Sequence, residues 1–411
     1  NAGLGGLNTL NNLTGALKIT DLGHRKQVAL ESKATELKQK QHLRSLCLAW
    51  KFEVEDNGKE DIVENAETTL CGLQPHSNLR LLKVYRFRGV KFANWLSFLV
   101  NLVKLELWYF KNCQYLPPLD RLPSLEELHL CGLTALEYIL DEDKDLDVLK
   151  DEFTTSSSAS TLSFFPSLRR LILDDLPNLK GWWEKKDIHD KNDSVPLFPS
   201  LSNLRISRCP CLDFMPLFPC VEKLYLEETS FRPLQQMIMM RNHSLKAEGR
   251  GSLSLLSTLC IRRCPGLESL PKELGNLPSL KSITIGKCPS LASLPEEIGN
   301  LQSLLVISIH ECSDLVSLSK SIGNLSSLQH IIIKKCPSLM SLPEGIGNLS
   351  SVQSITISDC PNLASLLEGM RRLTSLKQLI VDDCPILSQR YKREIGEDWT
   401  KIAHIPESCD R

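Results

Sequence analysis

Six cysteines recur 24 residues apart, at Cys264, Cys288, Cys312, Cys336, Cys360 and Cys384. A unit this short cannot close a core of its own, so copies of it must stack and bury one continuous core. The phrase around each cysteine is Leu280-x-x-Ile283-x-Ile285-x-x-Cys288-Pro289-x-Leu291-x-x-Leu294-Pro295. The next copies place Leu304, Ile307, Ile309, Cys312, Leu315 and Leu318 in the same positions, then Leu328, Ile331, Ile333, Cys336, Leu339 and Leu342. In Ser282-Ile283-Thr284-Ile285-Gly286 apolar residues alternate with others, so one face of a short strand points inward and the other outward. After Cys-Pro turns the chain, Leu-Pro-Glu-Glu-Ile-Gly-Asn (294–300) suits one tight helical turn, with Pro295 at its start and Gly299-Asn300 at its end.

This pattern is the leucine-rich-repeat signature. It predicts an α/β solenoid, a curved leucine-rich-repeat horseshoe with a parallel β-sheet on the concave face and about 14 repeats. Strands are expected at Leu17–Ile19, Leu46–Leu48, Leu82–Val84, Leu105–Leu107, Leu128–Leu130, Leu171–Leu173, Leu204–Ile206 and Leu224–Leu226. The regular array adds Leu259–Ile261, Ile283–Ile285, Ile307–Ile309, Ile331–Ile333, Ile355–Ile357 and Leu379–Val381. Residues 1–252 read as irregular repeats with four insertions at 51–70, 141–163, 182–196 and 231–252. Residues 253–386 are the regular array. Residues 387–411 read as a C-terminal cap whose main apolar contact is Trp399. The first insertion is acidic and helix-friendly; the second is an acidic, Ser/Thr-rich loop. Trp182-Trp183 open the third and either pack under their own loop or form an exposed patch.

Lys and Arg number 48 and Asp and Glu 49, so no net field favours nucleic acid or an anionic membrane. No apolar run reaches the length of a membrane span. Fifteen cysteines raise the question of disulfides. The periodic six occupy an inward corner, where a small thiol meets turn backbone, and a ladder of unpaired thiols suits a reducing compartment. No disulfide partner is therefore expected. Two of the five glycosylation sequons, at Asn324 and Asn348, lie in the repeated Gly-Asn-Leu-Ser phrase, which the repeat itself explains. Asn1 already stands inside a Leu-x-x-Leu pattern, so the chain reads as part of a longer protein.

No H-E-x-x-H, G-x-S-x-G or paired CxxC motif occurs, and Asp187-Ile188-His189-Asp190 reads as a polar loop. Neither an enzyme nor a catalytic or metal-binding residue is expected. Binding is the better reading. Trp50, Tyr85, Trp108 and Tyr109, with Arg86, are placed at outward positions of three early repeats, in the composition of interface anchors. The alternative buries these rings against the insertions. After the regular strands come Arg262-Arg263, Gly286-Lys287, His310-Glu311, Lys334-Lys335, Ser358-Asp359 and Asp382-Asp383, basic first and acidic last. Such a stripe complements a charged partner or only keeps the array soluble.

The repeats "LPSLKSITIGKCPSLASLPEEIGNL" resemble those of plant nucleotide-binding, leucine-rich-repeat immune receptors. The tail Gly396-Glu397-Asp398-Trp399-Thr400-Lys401-Ile402-Ala403-His404-Ile405-Pro406 resembles the end of the coiled-coil class, and Leu7–His24 the start of its repeat domain. Leu318-Ser319 and Leu366-Leu367 depart from the Leu-Pro step, and Met370-Arg371-Arg372 from Ile-Gly-Asn. The resemblance implies a sensor and autoinhibitory domain in a cytoplasmic receptor. Its protein ligand would be a pathogen effector or a host target, and the receptor's own nucleotide-binding domain would be an intramolecular partner. ADP or ATP would belong to that missing upstream domain, because no G-x-x-x-x-G-K-[ST] loop occurs in these residues and this chain needs no cofactor. A cytosolic adaptor, such as a ubiquitin-ligase substrate receptor, is the alternative; a cell-surface ectodomain is a third reading.

Overall fold

The computed structural model describes residues 4–10, 12–23, 26–51, 60–120, 122–140, 165–183, 198–216, 218–239 and 253–410. The expected loop at 141–163, the insertion after Trp183 and residues 240–252 lie outside the described residues. Two compact units follow one another, Asn1–Pro219 and Cys220–Arg411. The division falls between the seventh and eighth strands, whereas the repeats become regular only after residue 252.

The first unit holds β1 (Gly15–Leu22), β2 (Leu43–Trp50), β3 (Leu81–Tyr85), β4 (Lys104–Trp108), β5 (Glu127–Cys131), β6 (Arg170–Asp174) and β7 (Asn203–Ser207). They pair in parallel in chain order. The second holds β8 (Lys223–Glu227), β9 (Thr258–Arg262), β10 (Ser282–Gly286), β11 (Val306–His310), β12 (His330–Lys334), β13 (Ser354–Ser358), β14 (Gln378–Asp382) and β15 (Glu407–Asp410), again parallel and in order. Each unit is a leucine-rich-repeat solenoid. The fourteen expected strands are present. β15 is an addition: the tail reads as a cap, and its last residues join the sheet beside β14.

Register explains the core. Ile283 pairs with Ile307 and Ile285 with Ile309, so identical side chains stack in two inward columns that are almost fully buried. Each ladder thiol donates to the carbonyl two residues earlier, at 3.3 to 3.6 Å, and so adds a second donor to a strand-end oxygen that also accepts a backbone N–H from the preceding repeat. Burial pushes the Cys312 thiol up to about 12, so it stays protonated.

Tight 3₁₀ turns follow at Lys272–Asn276, Glu296–Asn300, Lys320–Asn324, Glu344–Asn348 and Glu368–Arg372. Pro295 stands one residue ahead of its turn rather than inside it. Gly299 and Gly323 are needed because a Cβ there would strike the turn of the next repeat. Two of the three departures now have reasons. Ser319 replaces proline and caps its turn by accepting the Ser321 N–H. Arg371 stands where glycine would be, but the next element is the tail, and its guanidinium donates to the Thr400 hydroxyl at 2.9 Å.

The acidic insertion forms the helix Glu60–Gly72, which packs on the helix Lys26–Lys33. Glu67 pins it to the repeats by accepting the Val90 and Lys91 N–H groups at 2.8 and 2.9 Å. In the tail, Trp399 is only half-buried; Leu387, Tyr391, Ile402 and Ile405 form the apolar contact instead. Trp399 sits at the start of the short helix Trp399–Ile402, one turn before the residue that faces the core. Its neighbour Asp398 is buried and holds the tail down. It accepts from Arg390, Lys401 and the Leu366 N–H at 3.0, 2.9 and 3.1 Å.

Candidate protein-binding faces

Strand alternation alone would turn the second residue after each inward pair back toward the core. A recurring backbone twist prevents this. Arg86, Tyr109, Arg263, Lys287, Glu311, Lys335, Asp359 and Asp383 all have positive φ, between 49° and 62°. A left-handed residue with a side chain costs about 1–2 kcal/mol. The offset is a backbone hydrogen bond, because in the seven from Arg86 to Asp359 the twist aims the N–H at the end of the next strand. Arg86 donates to the Trp108 carbonyl at 2.8 Å and Tyr109 to Cys131 at 2.7 Å. Lys287 donates to His310 and Lys335 to Ser358, both at 2.9 Å. The same twist throws these side chains outward, so both residues of each pair display their chemistry.

Trp50 shows the rule by breaking it. The strand β2 runs on through Trp50 without the left-handed residue, so Leu46, Leu48 and Trp50 share the inward face. Trp50 is 1% exposed and meets Phe87 edge-on at 5.4 Å. The expectation that it lines a binding surface is corrected: it is a core residue of a Trp50–Phe87–Phe110 cluster. Trp182 is likewise core, between Phe165 and Phe198, while Trp183 lies against Phe214.

The other early candidates do come together. Tyr85 and Trp108 stack on neighbouring strands, 6.2 Å between centroids and 13° between planes. Tyr109 extends the group at 6.1 Å and is 51% exposed. Arg86 is exposed beside them. Sequence reasoning missed what lies next to this shelf on the same face. Lys83 and Lys104 both reach Glu106, at 3.0 and 3.1 Å, and Lys104 also reaches Glu127 at 2.9 Å. Arg170 closes the lattice on Glu127 at 3.2 Å. The signal was available: these residues occupy the outward positions of β3 to β6 with alternating sign. Burial alone would raise the pKa of Glu106, but the two lysines outweigh it and hold the carboxyl below its ordinary value. Burial first, and Lys104 next, push His129 below its ordinary value, so it sits neutral among these charges.

In the second unit the stripe is displayed on successive strands, with Arg262, Gly286, His310, Lys334, Ser358 and Asp382 in register. Only part of it is neutralised. Arg263 pairs with Glu227 at 2.7 Å and reaches Glu228 at 3.6 Å; Lys287 reaches Glu311 at 3.6 Å. Arg262, Lys334, Lys335, Asp359, Asp382 and Asp383 form no ion pair with another described residue. Burial and the nearby Arg262 hold His310 below its ordinary pKa. Among the described residues no helix is long and apolar enough to cross a membrane, and no His, Cys, Asp and Glu cluster could hold a metal ion.

Comparison with known proteins agrees along the chain. Residues 4–133 match the R13L1/DRL21 leucine-rich repeats, 78–228 the leucine-rich repeats of plant disease resistance protein RPS2-like sequences, and 236–405 a leucine-rich repeat region. Disease resistance protein RGA2 of Solanum bulbocastanum is 35% identical over 277 residues, 66% of this chain. Putative disease resistance RPP13-like protein 1 of Arabidopsis thaliana is 29% identical over 301 residues. The matched region spans only 25% and 26% of these relatives' lengths. Among solved structures, the leucine-rich repeat domain of the type III effector XCV3220 (XopL) aligns with a TM-score of 0.39 and 18% identity, covering 82% of this chain and 86% of that one.

Proposed function

Since the chain belongs to the leucine-rich repeats of plant disease-resistance proteins, we propose that it is the ligand-sensing and autoinhibitory part of an intracellular plant immune receptor. Its ligand is a pathogen effector or a host protein that an effector has modified. The observation that carries this reading is the Tyr85–Trp108–Tyr109 shelf, three rings displayed on a strand face whose charges are already neutralised. Such a face loses little on desolvation, because its carboxylates keep their lysine partners, while its rings supply apolar area to a partner.

In the resting receptor the strand face holds the receptor's nucleotide-binding domain closed. The ligand competes for that face, and its differential affinity shifts the population toward the active state. ADP or ATP is assigned to that other domain, and this chain contributes only the competing surface.

The test is a receptor carrying Trp108→Ala and Tyr109→Ala, expressed in leaves with and without its ligand. Loss of the ligand-triggered response, or response without ligand, at normal protein accumulation supports the reading. Unchanged resting and triggered responses overturn it.

A further inference from the structure

The two faces treat charge differently. On β3 to β6 every charge named above is matched by a neighbour. On β9 to β14 the charges that form no ion pair with another described residue are sorted, while Glu311, the acid within the basic half, reaches Lys287. Arg262, Lys334 and Lys335 stand on the basic rungs, and Asp359, Asp382 and Asp383 on the next two strands. Lys335 and Asp359 are on adjacent repeats, yet they form no ion pair. Sorted charges left unpaired cost solvation on association unless a partner matches them in the same order. A uniformly acidic partner meets repulsion at Asp359, Asp382 and Asp383. A uniformly basic one meets it at Arg262, Lys334 and Lys335.

We propose that this stripe docks an extended segment of a partner protein with an acidic half followed by a basic half, the acidic half over β9 to β12 and the basic half over β13 and β14. The inference rests on the reading that the strand faces bind protein, but it does not use the aromatic shelf. Dimensions fix the size of the segment. Five strand spacings of about 4.8 Å separate Arg262 from Asp382, roughly 24 Å. An extended chain of about 3.3 Å per residue covers this with seven or eight residues. His310 adds an imidazole ring in the middle of the basic half, laid into the space that the missing Gly286 side chain leaves.

The experiment uses fluorescence anisotropy with the whole 411-residue chain and three labelled peptides of about ten residues. One has a glutamate block then a lysine block, one alternates the same residues, and one is all glutamate. The block peptide should bind about tenfold or more tighter than the alternating one, with the difference shrinking as salt rises. Arg262→Glu with Lys334→Glu and Lys335→Glu should remove that advantage. Asp382→Lys with Asp383→Lys should weaken the block peptide and strengthen the all-glutamate one, a gain that a misfolded variant would not show. Trp108→Ala should leave all three affinities unchanged, which separates this stripe from the shelf. Equal binding of block and alternating peptides, insensitivity to either set of reversals, or loss of block binding in Trp108→Ala overturns the proposal.

Discussion

The imidazole of His310 lies over the α-carbon of Gly286 on the neighbouring strand, so closely that a Cβ on Gly286 would collide with the ring. The obstacle is the far end of a side chain, so the ring can swing away. Gly286 is buried beneath the ring, so Gly286→Ala should cost about 0.5–1 kcal/mol, the low end for a point change. It should also drive the imidazole into solvent. Burial is the first cause of the low His310 pKa, so the value should rise toward 6.5 in the variant. An NMR titration of the ring protons checks this. An unmoved pKa would mean that the ring does not depend on the glycine.

Lys104 plays the corresponding part in the first unit, bridging Glu106 and Glu127. It is also the second cause, after burial, of the low pKa of His129. Lys104→Met should let the two carboxylates dominate, so that the His129 pKa rises. The sign for stability follows. A histidine with a depressed folded value contributes stability that is complete above its unfolded value, 6.5, and is lost as pH falls toward the folded value. Between pH 7 and 5 the wild-type chain should lose stability from this site, and Lys104→Met should lose less. Urea midpoints at the two pH values decide it, and equal losses would remove His129 from the account.

These two sites differ in how far the sequence reveals them. Period and alternation are one-dimensional properties, so the strands and their inward columns are legible in the sequence alone. Tyr85 and Trp108 follow from the same alternation. The repeat pattern misplaces Trp50, because its direction depends on whether the chain adopts a left-handed residue after Leu48, and no residue type dictates that. The Lys83–Glu106–Lys104 lattice is legible only in part: outward alternation places these charges on one face, but it is the register that sets Lys83 beside Glu106. The buried Asp398 falls inside a phrase that reads as family resemblance, while its clamp onto Leu366 spans 32 residues that no local pattern connects.

That clamp gives the sharpest pH prediction. Asp398 is 1% exposed, and burial alone would raise its pKa. Arg390, Lys401 and the Leu366 N–H outweigh burial and hold the carboxyl below its ordinary 3.8. A carboxyl with a depressed folded value contributes stability that is fully present above the unfolded value and disappears as pH falls below about 3.8. Lys401 donates to the Leu366 carbonyl while pairing with Asp398, so both ends of the contact fail together. Asp398→Ala leaves Lys401 without its buried partner and should cost about 3 kcal/mol at pH 7. Asp398→Asn keeps the shape, should cost less, and should flatten the acid limb of the stability profile. Denaturation midpoints from pH 7 to pH 3 measure both effects. If the asparagine variant lost stability over the acid range as steeply as the wild type, the tail would be held by Leu387, Tyr391, Ile402 and Ile405 alone, and the carboxylate would be incidental.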